Sequence, residues 1–491
     1  MFDDLTVTSW IFLIAALALA LAFEFVNGFH DTANAVATVI YTNTLKPTTA
    51  VIWSGSWNFL GVLVSSGAVA FGVLALLPVE LILNVGSGAG FAMVFALLLS
   101  AIVWNAGTWY LGLPASSSHT LIGSILGVGL MNSWFSTRQQ FGDGVNWGKT
   151  QEVGMSLLIS PLIGFTLAAV LLLVAKALVK RAELYRAPAP NTPPPLWIRA
   201  LLILTCTGVS FAHGSNDGQK GMGLIMLILI GIVPASFAVD LSASPQTLHQ
   251  VVDATSRVGA ILDKTGKTQL AYNGNPGDTL SAYLRTGTPN DETLAAVAVA
   301  NRDIANRLTG VDSLGALDAE GRRALRSDLY LVSESVNRLV KTDSFAGTDK
   351  QVMVDFRKLL TNLTNFIPVW VKIAVALALG LGTMIGWQRI VVTVGEKIGK
   401  THLSYGQGAA AELVAMATIG AADGLGLPVS TTHVLSSGIA GTMAANSSGL
   451  QGGTLRNLLL AWVLTLPVCV FLGALFFAGG LELVFRLFGV K

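Results

Sequence analysis

Ionisable and amide side chains interrupt an apolar stretch close to the start of the chain. The segment NGFHDTANAV, residues 27–36, ends an apolar run that begins near Trp10. A charged side chain inside a membrane costs several kcal/mol and usually marks a pathway for a substrate, an ion or a proton. Carboxylates and amides on one helical face offer oxygen ligands to a small cation or a relay for protons. The residues of this face are Glu24, Asn27, His30, Asp31 and Asn34.

A second long apolar stretch carries a similar segment. GFHDTANAV, residues 28–36, is echoed by GSNDGQKGM, residues 214–222. Either segment alone could equally be a polar network that holds two helices together, but the repetition favours a coupling site for a cation or protons. Glu24 is given only an accessory role, because Ser210 occupies its place in the second copy. The aligned pairs are Asn27 with His213, His30 with Asn216, Asp31 with Asp217, and Asn34 with Lys220.

Two further segments predict helix starts that bind an anion. GLPASSSHT, residues 112–120, is echoed by GLPVSTTHV, residues 426–434. Proline suits the first turn of a helix and serine caps it, which leaves backbone N–H groups and the positive end of the helix dipole for an anion. One such segment usually only starts a helix, whereas two related copies are a recurrent transporter design. The predicted ligands of a tetrahedral oxyanion are Ser116, Ser117, Ser118, Thr120, Ser430, Thr431 and Thr432.

A histidine follows each of these hydroxyl triplets directly. His119 and His433 either donate to the oxyanion or cap the local turn, and the sequence leaves both roles open. The string SSSH could also be a serine nucleophile beside a histidine, but adjacent residues on one helix point in different directions. Zinc-ligand spacing and a glycine-rich nucleotide loop are both missing from the sequence, so an enzyme is disfavoured. A receptor is disfavoured too, because the sequence shows no cytoplasmic output domain.

The elements that position these residues are predicted to be membrane helices. The chain of 491 residues is 52% hydrophobic and 12% charged, whereas soluble domains carry about 25% charged residues. A net charge of +2 leaves no basic patch for nucleic acid, and both cysteines lie in apolar runs, as packed thiols do. The first and sixth apolar stretches are too long for one simple span, so we expect broken helices there. The ten candidate spans lie near 9–40, 50–77, 89–111, 113–133, 153–178, 198–238, 367–388, 406–425, 428–445 and 457–485.

One block of the chain differs from the rest. Residues 240–366 contain 29 of the 58 charged residues. Apolar residues recur with helical periodicity in segments such as ETLAAVAVANRDIANRL, so we predict a soluble helical insertion and not a flexible loop. The predicted domains are 1–180, a first transmembrane repeat; 181–197, a cytoplasmic connector; 198–239, the first broken helix of a second repeat; 240–366, the insertion; and 367–491, the remainder of the second repeat.

The spacing of the motifs predicts two inverted repeats. Asp31 and Asp217 are 186 positions apart, and Pro114 and Pro428 are 314 positions apart. The difference of 128 nearly equals the 127 residues of the insertion, so the two halves are collinear without it. Five predicted crossings separate the two copies, and an odd number inverts the second copy relative to the first.

The distribution of basic residues predicts an orientation. The loops on one side carry ten Lys and Arg residues and the short segments on the other carry five, as the positive-inside rule requires. Asp3 and Asp4 precede the first apolar run, which is unlike a signal peptide. We expect a multi-pass protein of the cell (inner) membrane with both termini and the insertion outside. The inside residues are Lys46, Lys176, Lys180, Arg181, Arg186, Arg199, Arg389, Lys397, Lys400 and Arg456, and the outside ones are Arg138, Lys149, Lys372, Arg486 and Lys491.

The repeated G-x-[HN]-D element and the paired GLP-x-S-[ST]-[ST]-H element resemble the inorganic phosphate transporter family, above all its bacterial low-affinity Pit-type permeases. The resemblance covers the whole chain, and it is weakest in the insertion. It implies symport of inorganic phosphate with a cation by alternating access, in a lipid bilayer, without a cofactor and as a homodimer. The Pit-type branch implies coupling to protons and carriage of phosphate with divalent metal ions, without a fixed metal site. Arsenate, nearly isosteric with phosphate, should pass as well.

A tally of charges predicts that the anion travels with a cation. Phosphate contributes about −2, the two aspartates about −2, Lys220 about +1, and the two helix starts about +1 together. The site therefore lacks roughly two positive charges, which two protons, two sodium ions or one divalent metal ion would supply.

Two positions depart from the sodium-coupled members of the resembled family. Those members read G-x-N-D-x-x-N in both copies, whereas this chain has His30 for the first Asn of one copy and Lys220 for the last Asn of the other. The ammonium of Lys220 would repel a sodium ion held by Asp217, and His30 can take a proton near physiological pH. We therefore predict proton coupling. A sodium-coupled phosphate or sulfate symporter is the alternative, and a carboxylate acceptor favours phosphate because phosphate has a proton to donate.

Overall fold

The structure is a computed structural model that describes most of the chain, and its regular structure is helical. Among the described residues, extended pairing is limited to one isolated bridge between Gly399 and Leu450. The described ranges are 5–31, 33–78, 82, 86–136, 140–189, 192–264, 272–342 and 344–488, without the side chains of residues 33, 34, 485, 487 and 488.

The α-helices are numbered in chain order. Those before the insertion are α1 Val7–Asp31, α2 Ala33–Tyr41, α3 Pro47–Val64, α4 Ala68–Leu74, α5 Gly88–Tyr110, α6 Ser117–Phe135, α7 Trp147–Leu178, α8 Leu196–Ile232 and α9 Pro234–Phe237. Those of the insertion are α10 Pro245–Lys264, α11 Pro276–Thr286, α12 Thr293–Leu308, α13 Ala319–Lys341 and α14 Gly347–Thr364. The remaining ones are α15 Val369–Met384, α16 Gln388–Glu396, α17 Tyr405–Gly424, α18 Thr431–Ala445 and α19 Gly452–Phe488.

The prediction of an all-α polytopic membrane protein is confirmed. In the described part of the chain, five helices are long and apolar enough to cross a membrane, or up to seven if two bent helix pairs each count as one span. Helix α18 falls outside this set because it has only 15 residues, and α17 because polar residues such as Gln407, Glu412 and Asp423 lower its hydropathy. The number of about ten segments therefore stays a prediction. Cys206 and Cys469 are buried free thiols, as expected.

Both long polar-bearing stretches are predicted to be broken helices. In the first, α1 and α2 flank residue 32, which lies outside the described residues, and together they count as one candidate span, Val7–Tyr41, so a break there stays a prediction. In the second, α8 runs without a break through its polar residues, so the broken helix predicted there is wrong. Its glycines serve close packing: a Cβ at Gly214 would lie 2.2 Å from the Asn58 carbonyl oxygen of α3. The helix ends only at Val233, where Pro234 starts the next one.

Two loops turn the chain back into the molecule before α6 and before α18. Gly112 and Gly426 both adopt a φ of +66°, a left-handed conformation that favours glycine. The Ser116 side chain then accepts a hydrogen bond from the backbone N–H of His119, and Ser430 does the same for residue 433. The first loop joins α5 to α6 and the second joins α17 to α18, so each makes a helical hairpin. For short, the loop and second helix of each are called the first hairpin (residues 112–135) and the second hairpin (residues 426–445).

The capped helices of the two hairpins run in opposite directions. Helix α6 lies along α19 in the same direction, with Gly123 near Leu466 and Gly127 near Val470. Helix α18 starts beside the middle of α7 and ends where Lys176, near the end of α7, contacts Asn446. Because α7 and α19 run in opposite directions between the two faces of the molecule, α6 and α18 do too. An inverted repeat requires this arrangement, and the repeat itself stays a prediction.

The helices of the insertion have a hydrophobic core of their own. Leu248, Val258, Leu280, Leu329 and Phe356, one or two from each of four helices, are almost completely buried in a cluster that also contains residues of α12. The insertion also touches the membrane helices: the Arg326 guanidinium donates to the Ala238 carbonyl at 2.8 Å. The insertion therefore packs as a helical unit beside the start of α7, and its domain boundaries stay predictions.

Candidate functional site

A carboxylate of α1 holds the first turns of both hairpin helices. The Ser117 hydroxyl donates to Asp31 Oδ2 at 2.6 Å, and the Thr432 hydroxyl donates to Asp31 Oδ1 at 2.5 Å. Asp31 is buried, with 2% of its surface exposed. Hydrogen bonds to an ionised carboxylate are about twice as strong as neutral ones, so charged Asp31 stabilises the contact between the hairpins.

A carboxylate of α8 lies on the other side of the same serine. Ser117 Oγ is 3.4 Å from Asp217 Oδ2, and Thr431 Oγ1 lies 3.4 Å from the same oxygen. Lys220 Nζ is 2.7 Å from Asp217 Oδ1, and His213 Nε2 is 3.4 Å from Oδ2. The site thus joins two carboxylates through one hydroxyl, and only the second carboxylate has a permanent cation beside it.

The ammonium group of Lys220 is enclosed by protein. The side chain is fully buried, and its Nζ donates to Ser118 Oγ at 2.6 Å. Ser118 in turn donates to the Val429 carbonyl at 2.6 Å, within the loop of the second hairpin. Removing one partner of a buried ion pair costs about 3–5 kcal/mol, so Lys220 and Asp217 hold each other in place.

The residues that precede the two carboxylates are not equivalent. His30 Nδ1 lies 3.2 Å from Asp31 Oδ1, and its Nε2 lies 3.1 Å from Thr108 Oγ1 of α5. Asn216, in the corresponding place on α8, donates instead to the Leu427 carbonyl at 3.1 Å. In the first copy the residue before the carboxylate is therefore a histidine that contacts the carboxylate. In the second copy it is an asparagine that holds the loop of the second hairpin.

Glu24 lies about two turns before Asp31 on α1, against α8. Asn27 Nδ2 donates to Glu24 Oε2 at 3.4 Å, and both residues are fully buried. A Cβ at Gly221 would come within 2.6 Å of Glu24 Oε1, so only glycine lets α8 approach this closely. The side chain of Asn34, also predicted to belong to the site, lies outside the described residues.

The two histidines after the triplets pack on each other at the hairpin starts. The ring centroids of His119 and His433 lie 4.7 Å apart, and His433 stacks on Trp462 at 4.1 Å. His119 Nδ1 and His433 Nε2 are buried without a hydrogen-bond partner among the described residues. The packing favours their structural role at the hairpins over donation to an anion.

The predicted hydroxyl ligands separate into two groups. The Ser116 and Ser430 side chains cap their helices, and the Thr120 hydroxyl donates to Asn105 Oδ1 at 2.9 Å, toward α5. Ser118 accepts from Lys220. The hydroxyls that reach the two carboxylates are those of Ser117, Thr431 and Thr432.

Three buried side chains could surround a divalent cation. Asp31, His213 and Asp217 each offer one ligand atom, and these atoms lie within 4.8 Å of one another. Carboxylate oxygens and an imidazole nitrogen suit several divalent metal ions. Three ligands leave further coordination positions to be filled by other oxygens, as a cargo ion bound with an oxyanion would require.

The structure adds an amide that the sequence analysis did not single out. Asn58 of α3 accepts from His213 Nδ1 at 2.8 Å and donates to Thr383 Oγ1 at 3.2 Å. Its only signal in the sequence is an amide within an otherwise apolar span. Farther along α17, the fully buried Glu412 is held by the hydroxyls of Thr38 and Thr205.

Comparisons with known proteins agree on one family. The model described as "Phosphate transporter family" matches residues 27–473. The chain is 42% identical to the low-affinity inorganic phosphate transporter PitA of Escherichia coli K12, over 96% of this chain and 97% of that one. It is 39% identical to PitB of the same strain over 99% of both chains. A solved structure of a sodium-dependent phosphate transporter superposes with a TM-score of 0.53 at 19% identity, over 96% of this chain and 99% of that one.

Proposed function

Because the chain belongs to the phosphate transporter family, as a Pit-type permease of inorganic phosphate, we propose that it imports phosphate by symport with protons. Its relatives are named as transporters, and the chain is a multi-pass membrane protein and not an enzyme. The observation that carries the proposal is the fully buried pair of Lys220 and Asp217, 2.7 Å apart. An ammonium group occupies the place beside this carboxylate that a sodium ion would need.

The proton has a defined place on α1. His30 lies against Asp31 with one ring nitrogen and against the Thr108 hydroxyl with the other. A proton at His30 Nδ1 forms an ion pair with Asp31, and a proton on Asp31 itself weakens its hold on Ser117 and Thr432. Either event leaves hydroxyl donors free to turn toward the oxygens of phosphate. Protonation and phosphate binding therefore favour each other.

The contact at Asp31 also suggests how the site changes sides. Asp31 joins the first turns of α6 and α18, which leave it in opposite directions. If the bond between Asp31 and one hairpin breaks while its bond to the other hairpin stays, the site would open to one face of the membrane at a time. We propose that movement of the two hairpins about α1 and α8 provides alternating access.

Divalent metal ions fit as cargo beside phosphate. Asp31, His213 and Asp217 supply an acidic and nitrogen-containing set of ligands, and phosphate oxygens would complete the shell. A metal–phosphate complex is nearly neutral and satisfies the charge balance without two extra protons. Arsenate has the same shape and charge as phosphate, so the same hydroxyls accept it.

Sodium coupling is the second candidate, and one observation favours it. Among the described residues, the basic side chain that contacts Asp31 is a histidine and not a lysine. A sodium ion could therefore occupy the α1 half alone. The superposed solved transporter is sodium-dependent, but at 19% identity its likeness concerns the fold.

The proposed setting is the inner membrane with both termini and the insertion outside. Two contacts support a common face: Val484 near the end of α19 lies next to Gly88 at the start of α5, and Lys341 of the insertion lies 3.9 Å from Glu152 near the start of α7. Labelling of Ser256→Cys with an impermeant thiol reagent tests the side, because the two native thiols are buried. Labelling of intact cells is expected, and labelling only after lysis would reverse the orientation.

Competition in proteoliposomes tests the substrate. The purified protein should take up radiolabelled phosphate, and arsenate should inhibit the uptake at concentrations similar to unlabelled phosphate. Sulfate should inhibit far less, because it cannot donate a proton to the carboxylates at neutral pH. Equal inhibition by sulfate would contradict phosphate as the preferred anion.

A further inference from the structure

A large cavity lies between the insertion and the membrane helices, and its charged lining is mostly basic, with six basic and two acidic side chains. Its volume is about 750 Å³, and it lies between α4, the start of α7, the second hairpin loop and helices α11, α13 and α14. Two acidic side chains, Glu152 and Glu334, face the same cavity. The basic residues of this cavity, here called the basic cavity, are Lys149, Arg285, Arg326, Arg338, Lys341 and Arg357.

The two acidic side chains of the basic cavity contact three of its six basic side chains. Glu152 is 2.8 Å from Lys149 and 3.9 Å from Lys341, and Glu334 is 3.7 Å from Arg357. The Nε of Arg357 is nevertheless buried without a hydrogen-bond partner among the described residues. A buried donor without a partner is costly, and it favours a ligand that can accept from it.

Two of the other cations, Arg326 and Arg338, have no carboxylate partner among the described residues. Arg326 donates to the backbone carbonyls of Ala238 at 2.8 Å and Thr364 at 3.3 Å. Burial lowers the pKa of Arg326 to about 10, so its guanidinium still carries a charge at neutral pH. Arg338 lies beside Gly287 and, within the described ranges, has no carboxylate partner. The cavity thus holds a net positive charge that its own acids do not neutralise.

The floor of the basic cavity adjoins the transport site. Leu425 and Gly426 of the second hairpin loop line it, and the Gly426 carbonyl lies 2.8 Å from a Cβ built at Gly72. The next residue of the loop, Leu427, accepts a hydrogen bond from Asn216, the neighbour of Asp217. The second hairpin loop therefore contacts both the basic cavity and the residue next to Asp217.

We infer that the basic cavity is a second, peripheral site for a small dianion, which collects phosphate before it passes the second hairpin to the membrane site. The inference rests on the proposed function and orientation and assigns a role to the insertion. Clefts lined by one sign of charge raise the local concentration of the opposite ion by about 10- to 1,000-fold at low salt. A field of this kind lowers the apparent KM of transport and leaves the turnover of the membrane site unchanged.

Charge removal tests the inference in proteoliposomes made of neutral lipid. Arg338→Gln with Lys341→Gln should raise the apparent KM for phosphate about three- to tenfold at low ionic strength, with the maximal rate unchanged. The increase should shrink near 0.3 M salt, because the screening length falls from about 30 Å at 0.01 M to under about 8 Å. The charge-keeping pair Arg338→Lys with Lys341→Arg should behave like the wild type.

A matched pair elsewhere on the insertion controls for its stability. Arg257 and Arg302 are exposed and do not line the basic cavity, so Arg257→Gln with Arg302→Gln should leave KM unaltered. The melting temperature of each variant shows whether it is folded. An unchanged KM in the folded cavity variant overturns the inference, as does an equal rise in the control pair.

Two further outcomes separate the sources of failure. Absence of phosphate uptake by the wild type sinks the proposed function, whereas normal wild-type uptake with an unaltered cavity variant sinks the cavity alone. A KM effect that occurs only in vesicles with anionic phospholipid would mean that a lipid phosphate group occupies the cavity. That outcome also overturns the role in phosphate capture.

Discussion

The polar faces of α1 and α8 carry the same carboxylate in two electrostatic settings. Asp31 is held by hydroxyls from both hairpins, and its cation partner is a histidine whose charge depends on pH. Asp217 is paired with the buried side chain of Lys220, whose Nζ lies 2.7 Å from its Oδ1. The difference assigns a switchable charge to one half of the site and a fixed charge to the other.

This asymmetry has a functional consequence. Without the ammonium of Lys220 the site would lack about three positive charges for each phosphate, and the built-in ammonium supplies one of them and leaves about two. The remaining charge has to come and go with the substrate if transport is to be driven by an ion gradient. In this account α1 couples the site to protons, and α8 anchors it.

The largest effect is expected from removing the switchable carboxylate. Asp31→Asn should lower phosphate uptake at least about 100-fold, because loss of one partner in a buried charged network costs about 3–5 kcal/mol. Initial uptake rates in proteoliposomes measure it. The exposed Asp253→Asn in the insertion is the control and should transport normally. Residual uptake within a few-fold of wild type would remove Asp31 from the coupling role.

Replacing Lys220 should make transport through the α8 half of the site depend on sodium. Lys220→Asn restores the asparagine of the sodium-coupled motif, and we expect uptake without sodium to fall about 10- to 100-fold. Added sodium should then recover part of the rate, since an oxygen ligand replaces a repelling ammonium. The exposed Lys264→Asn serves as the matched control. A variant that transports like the wild type and ignores sodium would break the comparison between the two halves.

Removing each hydroxyl donor should raise the apparent KM for phosphate more when the donor lies closer to the carboxylates. Ser117→Ala should raise the apparent KM more than Thr431→Ala, because Ser117 lies 2.6 Å from one carboxylate and 3.4 Å from the other, whereas Thr431 makes only a 3.4 Å contact. A lost donor in a desolvated site costs about 1–3 kcal/mol, so the rise for Ser117 is roughly 5- to 150-fold.

Another buried serine of α6 provides the control for these donors. Ser124 is buried and donates to the Thr120 carbonyl, away from the carboxylates. Ser124→Ala should therefore keep the wild-type KM. If Ser117→Ala and Thr431→Ala both keep it as well, the assignment of the triplets to anion binding fails.

The smallest effect is expected from removing the insertion. Replacing residues 242–364 with a short flexible linker should leave a folded protein with measurable uptake, because the insertion has its own hydrophobic core. The apparent KM should rise by about three- to tenfold, as for the cavity variant. A monodisperse, inserted protein that transports nothing would place the insertion inside the mechanism.

Local sequence signals predicted the hairpins and the all-helical membrane class well. Gly112 with Ser116, and Gly426 with Ser430, specify a turn and a capped helix within a few residues. The continuity of α8 was not predictable in the same way. A glycine in a membrane helix can mark a break in the helix or a close contact with a neighbouring helix. The position of Asn58 of α3 beside Gly214 shows that this glycine marks a close contact.

The partners of the site residues depend on contacts distant in sequence. The motif spacing grouped the two aspartates with the hydroxyl triplets, but it did not distinguish Ser117, which lies between both carboxylates, from Thr120, which turns to Asn105. These differences arise from which neighbouring helix each side chain faces. The basic cavity was equally hidden, because its residues come from segments that meet only in the folded chain.

The driving ion tests the central claim most directly. Proteoliposomes that contain the wild-type protein should accumulate phosphate under an inward proton gradient with sodium absent, and an inward sodium gradient at equal pH should add nothing. This result follows from a fixed ammonium beside Asp217 and a histidine beside Asp31. Uptake that follows the sodium gradient and ignores pH would contradict the account.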